Sequence, residues 1–243
     1  MKILISQKEP SNLNAFKTLE EKYGATLEFC PFFLIEPLSA KEFRSQRINL
    51  PDYTAIVFSS RHAIDAYFKL CEEMRFKVPE TMKYFCTTEL VALYLQKHVV
   101  YRKRKIFFGN GTPQSVVALI GPKHKGEKFL ITTSAESNTG PMTELFDKAG
   151  LDYTVSVMVK SVTQDLSGLN LADYGALVLY NPYDLKSIHA SFPDFKQGDL
   201  ALISYGRSIA TALKNEGLNI AVEGPSPEIQ SAAKAIDLFL SSK

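Results

Sequence analysis

The sequence has no tryptophan, only three cysteines and four histidines in 243 residues, and charges that nearly cancel, at a formal +2. Each scarcity excludes something. Cys30, Cys71 and Cys86 are odd in number and show no CxxC spacing. That rules out a disulfide framework and points to buried thiols in a reducing cytoplasm. His62, His98, His124 and His189 lie far apart, so no metal site is expected. A charge this small argues against a nucleic-acid surface spread over the whole protein. No segment approaches the roughly 18 apolar residues of a membrane span. GxSxG, HExxH and paired-carboxylate signatures are all missing, which leaves the usual nucleophile and metal chemistries without support. Met1-Lys2-Ile3-Leu4-Ile5-Ser6 reads as a first β-strand and not as a signal peptide, because its apolar run is too short.

What is there is ordinary in amount and regular in order. Hydrophobic residues make up 45% and charged residues 22%, as in a soluble globular chain long enough for one large or two smaller domains. The chain resembles itself. Lys2-Ile3-Leu4-Ile5-Ser6 lies over Lys128-Phe129-Leu130-Ile131-Thr132 at an offset of 126, which also pairs Leu19 with Leu145, Lys22 with Lys148 and Gly24 with Gly150. Asp52–Phe58 matches Asp173–Leu179 at 121, and Cys86-Thr87-Thr88 matches Gly206-Arg207-Ser208 at 120. An internal duplication is the reading. Each half alternates short apolar runs with helical stretches, which predicts α/β units with a parallel sheet. Residues 27–38 and 153–164 are extended and occupy equivalent places; they read either as internal strands or as crossings between domains.

In an open parallel sheet, ligands bind beyond the carboxyl ends of the strands, where helix N-termini offer free N–H groups and a positive dipole end. That rule selects six turns: Ser6-Gln7-Lys8, Ser59-Ser60-Arg61, Thr87-Thr88, Thr132-Thr133-Ser134, Asn181-Pro182-Tyr183 and Tyr205-Gly206-Arg207-Ser208. For any single hydroxyl the alternative is plain N-capping. Lys97-His98 and Arg102-Lys103-Arg104-Lys105 form a basic cluster around Tyr101, read as solvated surface or as a contact for an acidic ligand or nucleic acid. Gly109-Asn110-Gly111-Thr112-Pro113 lacks the lysine of a phosphate-binding loop and reads as a turn before a helix near Gln114.

Ile56-Val57-Phe58-Ser59-Ser60-Arg61-His62-Ala63-Ile64 resembles the "vFTSxnAv" turn of the uroporphyrinogen-III synthases. Tyr205–Leu213 followed by Gly224-Pro225-Ser226-Pro227-Glu228 resembles their "iGptTaxaL…apxPtpe". Val78–Cys86 and Phe192–Lys196 extend the likeness, which is greatest to the Bacteroidetes branch. The resemblance implies two flavodoxin-like parallel-sheet domains joined by a two-stranded β-ladder: residues 1–33 plus 163–243, and residues 38–158, with linkers at 29–38 and 155–164. It further implies a monomeric lyase that cyclises hydroxymethylbilane in the interdomain cleft, with loss of water and inversion of ring D, and without metal or organic cofactor. No nucleic acid or membrane enters that activity. On this reading Tyr205, Tyr183 and Thr88 are the candidate proton donors. Ser59, Ser60, Arg61, Thr87, Ser134, Asn181, Gly206, Arg207 and Ser208 are the candidate carboxylate-binding groups. The chain departs from the family pattern at Gln7, Val159, Asn181 and Ile209, where the family carries other residues, a tyrosine at the position of Val159 among them. The departures leave a second reading open, a relative that binds a tetrapyrrole or other polyanion without turning it over. A duplicated α/β module unrelated to tetrapyrroles is a third.

Overall fold

The short apolar runs become strands, and the glycines placed behind the helical stretches end them. The computed structural model describes all 243 residues and divides into two units, Met1–Leu34 with Val162–Lys243, and Ile35–Ser161. The first unit opens with β1 (Lys2–Ile5), α1 (Asn14–Tyr23) and β2 (Thr26–Phe29), and the chain leaves it along β3 (Phe33–Pro37). The second unit holds α2 (Ala40–Ser45), β4 (Ala55–Phe58), α3 (Arg61–Glu73), β5 (Lys83–Cys86), α4 (Glu89–Tyr94), β6 (Ile106–Phe108), α5 (Pro113–Ile120), β7 (Lys128–Ser134) and α6 (Gly140–Ala149). The chain returns along β8 (Asp152–Thr163). The first unit is then completed by β9 (Ala176–Leu179), α7 (Pro182–Ser191), β10 (Ala201–Tyr205), α8 (Arg207–Asn215), β11 (Ile220–Gly224) and α9 (Ala232–Ser241).

The sheet of the first unit has the order β11-β10-β9-β1-β2, with every pairing parallel. Its strands alternate between two apolar layers. Ile3, Ile5, Val178 and Ile203 meet Leu19 of α1 and Ile236 and Phe239 of α9 on one face. Leu4, Leu177, Leu179 and Leu202 meet Leu185 and Ile188 of α7 and Ile209 and Leu213 of α8 on the other. A parallel sheet covered on both faces has no polar position to spare, which is why these strands read as unbroken apolar runs.

The second unit repeats the arrangement, with the order β3-β8-β7-β4-β5-β6. Ile56, Phe58, Tyr84 and Leu130 pack against α2, α3 and α4 through Phe43, Ile64, Tyr67 and Ala92. Ala55, Val57, Phe85 and Phe129 pack against α5 and α6 through Val116, Ile120 and Phe146. With β1, β2, β9, β10 and β11 set over β7, β8, β4, β5 and β6, the two sheets share one strand order. The sequence offsets land on equivalent elements. Gly24 and Gly150, 126 apart, both end a helix in the left-handed region, at φ 60° and 63°, a conformation that glycine enters without steric cost. Residues 27–38 resolve into both of the roles left open for them. β2 is an internal strand paired with β1, and β3 is a crossing strand beside β8. β8 pairs with β7 along Asp152–Val159 and then runs on to Thr163.

Phe129 is fully buried, with its ring centroid 5.5 Å from that of Phe85 and 5.3 Å from that of Phe146. Phe129→Ala is expected to cost about 3–5 kcal/mol through lost burial and a cavity. Leu90→Ala, at a side chain 65% exposed, is expected to stay within about 0.5 kcal/mol. Urea denaturation followed by far-ultraviolet circular dichroism measures both.

Candidate active site

All the candidate residues lie at or just past the carboxyl ends of strands, six in each unit. In the second unit the edge runs through neighbouring strands β7, β4 and β5 and carries Ser134, then Ser59, Ser60 and Arg61, then Thr87 and Thr88. In the first unit β9 delivers Asn181 and Tyr183, and β10 delivers Tyr205, Gly206, Arg207 and Ser208.

In the second unit most hydroxyls already have work. Ser60 caps α3 by accepting from the Ala63 N–H at 3.1 Å. Thr88 caps α4 by accepting from the Val91 N–H at 3.3 Å. The Thr87 hydroxyl donates to the Ser59 carbonyl at 3.4 Å and so ties the two turns together. Ser134 faces Ser137 of its own loop at 2.7 Å. Arg61 is exposed, with its guanidinium carbon 5.5 Å from the Tyr94 ring centroid, and it makes no ion pair.

Two of the six turns are not helix N-termini. α6 begins at Gly140, six residues beyond Ser134, and β7 extends through Thr132 and Thr133, which are buried; the Thr132 hydroxyl donates to the Val57 carbonyl at 2.8 Å. Ser6 is buried too, and α1 begins only at Asn14. β7 outruns the short apolar pattern because Thr132 donates sideways to the neighbouring strand, and Ser6, just past the end of β1, donates instead to Asp184. The caps of the last matched pair also shift: Thr88 and Gly206 stand at equivalent helix starts, 118 apart and not 120.

In the first unit α7 is closed by a capping box. Asn181 accepts from the Tyr183 N–H at 3.0 Å, and Asp184 accepts from the Asn181 N–H at 3.0 Å. α8 is different. Its N-cap is Gly206, which supplies no side-chain acceptor, and its first turn holds no acidic residue. A Cβ on Gly206 would stand 2.7 Å from the Tyr180 carbonyl oxygen, so close approach of two backbones, and not an unusual φ, requires glycine here. The first amides of α8 thus meet no side-chain cap, beside the exposed side chains of Arg207 and Ser208. Arg207 makes no ion pair. A helix start of this kind, with an arginine and a hydroxyl alongside, suits a carboxylate.

Next to it lies a polar group that the sequence did not single out. Asp184 is fully buried, and its Oδ2 accepts from the Ser6 hydroxyl at 2.7 Å, the Tyr180 N–H at 2.7 Å and the Asn181 N–H. One carboxylate therefore joins the ends of β1 and β9 to the start of α7. Its Oδ1, the Tyr180 hydroxyl and the Ser204 hydroxyl are buried and have no hydrogen-bond partner within the protein. Burial raises the Asp184 carboxyl above its ordinary 3.8, against the pull of its three donors. Burial and the nearby Asp184 likewise raise the Tyr180 phenol. The Tyr180 ring stands edge-on to Tyr205 at 6.0 Å, and Tyr183 packs against Phe33 at 5.8 Å with the Lys186 ammonium 4.2 Å from its ring centroid. The only sequence signal for Asp184 was the spacing of a capping box, which says nothing of burial.

The departures at Val159 and Ile209 are core positions here. Val159 packs in the apolar layer of α2, α3 and α4, and Ile209 is fully buried under α8. No three His, Cys, Asp or Glu side chains group as metal ligands, and no helix is long and apolar enough to cross a membrane.

A family model described as uroporphyrinogen-III synthase HemD matches residues 14–234. Among solved structures, uroporphyrinogen-III synthetase from Helicobacter pylori is similar over 100% of this chain and 99% of its own, at 15% identity and a TM-score of 0.63. A mutant uroporphyrinogen III synthase from the extreme thermophile Thermus thermophilus is similar over 100% of both chains, at 14% identity and a TM-score of 0.56. No curated protein matches in sequence.

The Asp184 arrangement has a testable consequence. Asp184→Ala would strand three donors, at about 1–3 kcal/mol for each one left buried, whereas Asp184→Asn keeps an acceptor oxygen for them. Because the folded carboxyl titrates higher than the unfolded one, the aspartate loses stability as pH rises from 3.8 towards its raised folded value. The stability of Asp184→Asn relative to wild type is therefore expected to improve over that rise, as read by denaturation across pH.

Proposed function

The chain belongs to the uroporphyrinogen-III synthase family, and we propose that it cyclises hydroxymethylbilane to uroporphyrinogen III, with loss of water and inversion of ring D. The observation that carries the reading is the uncapped start of α8, where Arg207, Ser208 and amides without a side-chain cap stand ready for a carboxylate. The substrate is a polycarboxylate, so such groups are what its side chains require. Taken by itself, the edge of the second unit carries groups of the same kind in the exposed Ser59 and Arg61.

The bilane closes on its own to the uninverted isomer. The protein's task is therefore to hold a geometry in which inverted closure is faster, which is a matter of positioning and differential binding. One proton transfer remains: the terminal hydroxyl must leave as water. Tyr205 is our first choice of donor, because its side chain is half-buried, its hydroxyl has no hydrogen-bond partner within the protein, and it sits one residue before the open helix start. Closure at the substituted α-carbon of ring D breaks the bridge bond already there, that bridge re-forms at the ring's free α-carbon, and the proton this carbon gives up replaces the one lent to the leaving oxygen, so the donor ends as it began. Tyr183 and Thr88 are the other candidates. Thr88 accepts in its cap and so keeps its proton to donate.

The test is to feed hydroxymethylbilane to the purified chain and to separate uroporphyrins I and III after oxidation. Predominantly isomer III is expected; isomer I alone, at the spontaneous rate, overturns the proposal. Tyr205→Phe is expected to lower kcat about 100-fold or more with little change in KM, as for loss of a general acid. Arg207→Gln is expected to raise KM about tenfold, the equivalent of one charge-assisted hydrogen bond.

A further inference from the structure

The basic run at residues 97–105 contains five lysines and arginines and no acidic residue, and the proposed reaction makes no use of it. Most of its charges are exposed, as a surface run requires, but the run also borders a pocket. Together with the loop after α3 it walls a cavity of about 490 Å³ within the second unit, inside the range of roughly 300–1,000 Å³ typical of small-molecule sites. Phe68, Phe76, Met82, Tyr84, Val99 and Ile106 form an apolar interior. Lys97, Arg102 and Lys105 stand on its rim.

The cavity is distinct from the candidate active site. It opens beside Tyr84 and Ile106, at the amino ends of β5 and β6, whereas Thr87, Thr88 and Gly109 lie past the carboxyl ends. Roughly four residues of strand, about 13 Å, separate the two. One wall is held rigid: the His98 ring stacks on Phe68 at 4.5 Å and 3°, and its Nε2 is 2.8 Å from an Asp65 carboxylate oxygen.

The charges at the rim are unevenly matched. Arg102 faces Glu80 at 4.0 Å. Lys105 donates to the backbone carbonyl of Glu80, and Lys97 donates to the Tyr94 hydroxyl at 2.9 Å. Neither lysine has a carboxylate within ion-pair distance. Glu72 is the one lining carboxylate without an ion pair. A pocket with one apolar wall and two ammonium groups outside ion-pair distance of any carboxylate, Lys97 being influenced from farther off by Asp65, suits a ligand that has an apolar body and one negative charge.

We propose that this cavity is a second binding site, for a small amphipathic anion: a bulky aromatic or aliphatic body bearing one carboxylate or sulfonate. Its occupancy does not depend on the cyclisation, so failure of either proposal leaves the other standing.

Anilinonaphthalene sulfonate and its uncharged counterpart phenylnaphthylamine, titrated into the full chain, separate the contribution of charge from that of the rings. The sulfonate is expected to bind at one saturable site, displaceable by naphthoate, and the neutral probe to bind about tenfold or more weakly. Lys97→Gln and Lys105→Gln together should weaken the sulfonate about tenfold without moving the neutral probe or the melting temperature. Glu72→Gln should strengthen it severalfold. Val99→Trp, which fills the interior, should abolish binding of both probes. Equal affinity for the two probes, non-saturable binding, or a sulfonate affinity unchanged in the lysine variant would overturn the assignment.

Discussion

The constraint on which the rest depends is that two parallel sheets are each covered by helices on both faces. A strand in that position has no solvated side, so each of its side chains must join one apolar layer or the other. Ile3, Ile5 and Val178 go to one layer, and Leu4, Leu177 and Leu179 to the other. Polar chemistry is then displaced to the strand ends, where the chain turns into a helix and its N–H groups lack partners. Most of the exposed serines, threonines and arginines named here gather at the carboxyl edges, while the few hydroxyls inside the sheets, among them Thr132 and Ser204, are buried.

Within that arrangement the helix starts are not equivalent. α3, α4 and α7 are closed by Ser60, Thr88 and Asn181. α8 starts at Gly206, whose missing Cβ lets the chain pass against the Tyr180 carbonyl and leaves the helix without a side-chain cap. The ground beside it is held by Asp184, a buried carboxyl that gathers donors from Ser6, Tyr180 and Asn181. Its burial costs solvation, which its three hydrogen bonds offset only in part, and the raised carboxyl is the measure of the remainder. The benefit is a fixed junction of two strands and a helix next to the open helix start.

The residues that set this chain apart from its family's pattern also follow from packing. Val159 and Ile209 face apolar layers, and Asn181 acts as a cap.

How far a feature was legible depended on how local its cause is. Strand and helix positions, the glycine stops at Gly24 and Gly150, the α/β class and the placing of candidate residues at strand ends all follow from local patterning, and the sequence by itself determined them. The extension of β7 through Thr132 and Thr133 was not legible, because it rests on a hydrogen bond to Val57, distant in sequence. Nor was the burial of Asp184, whose partner Ser6 lies 178 residues away. That the basic run at 97–105 borders a pocket together with the loop after α3 was not legible either. Only the tertiary structure decided these, because burial and partnership between residues far apart are properties of the folded chain, and no local pattern carries them.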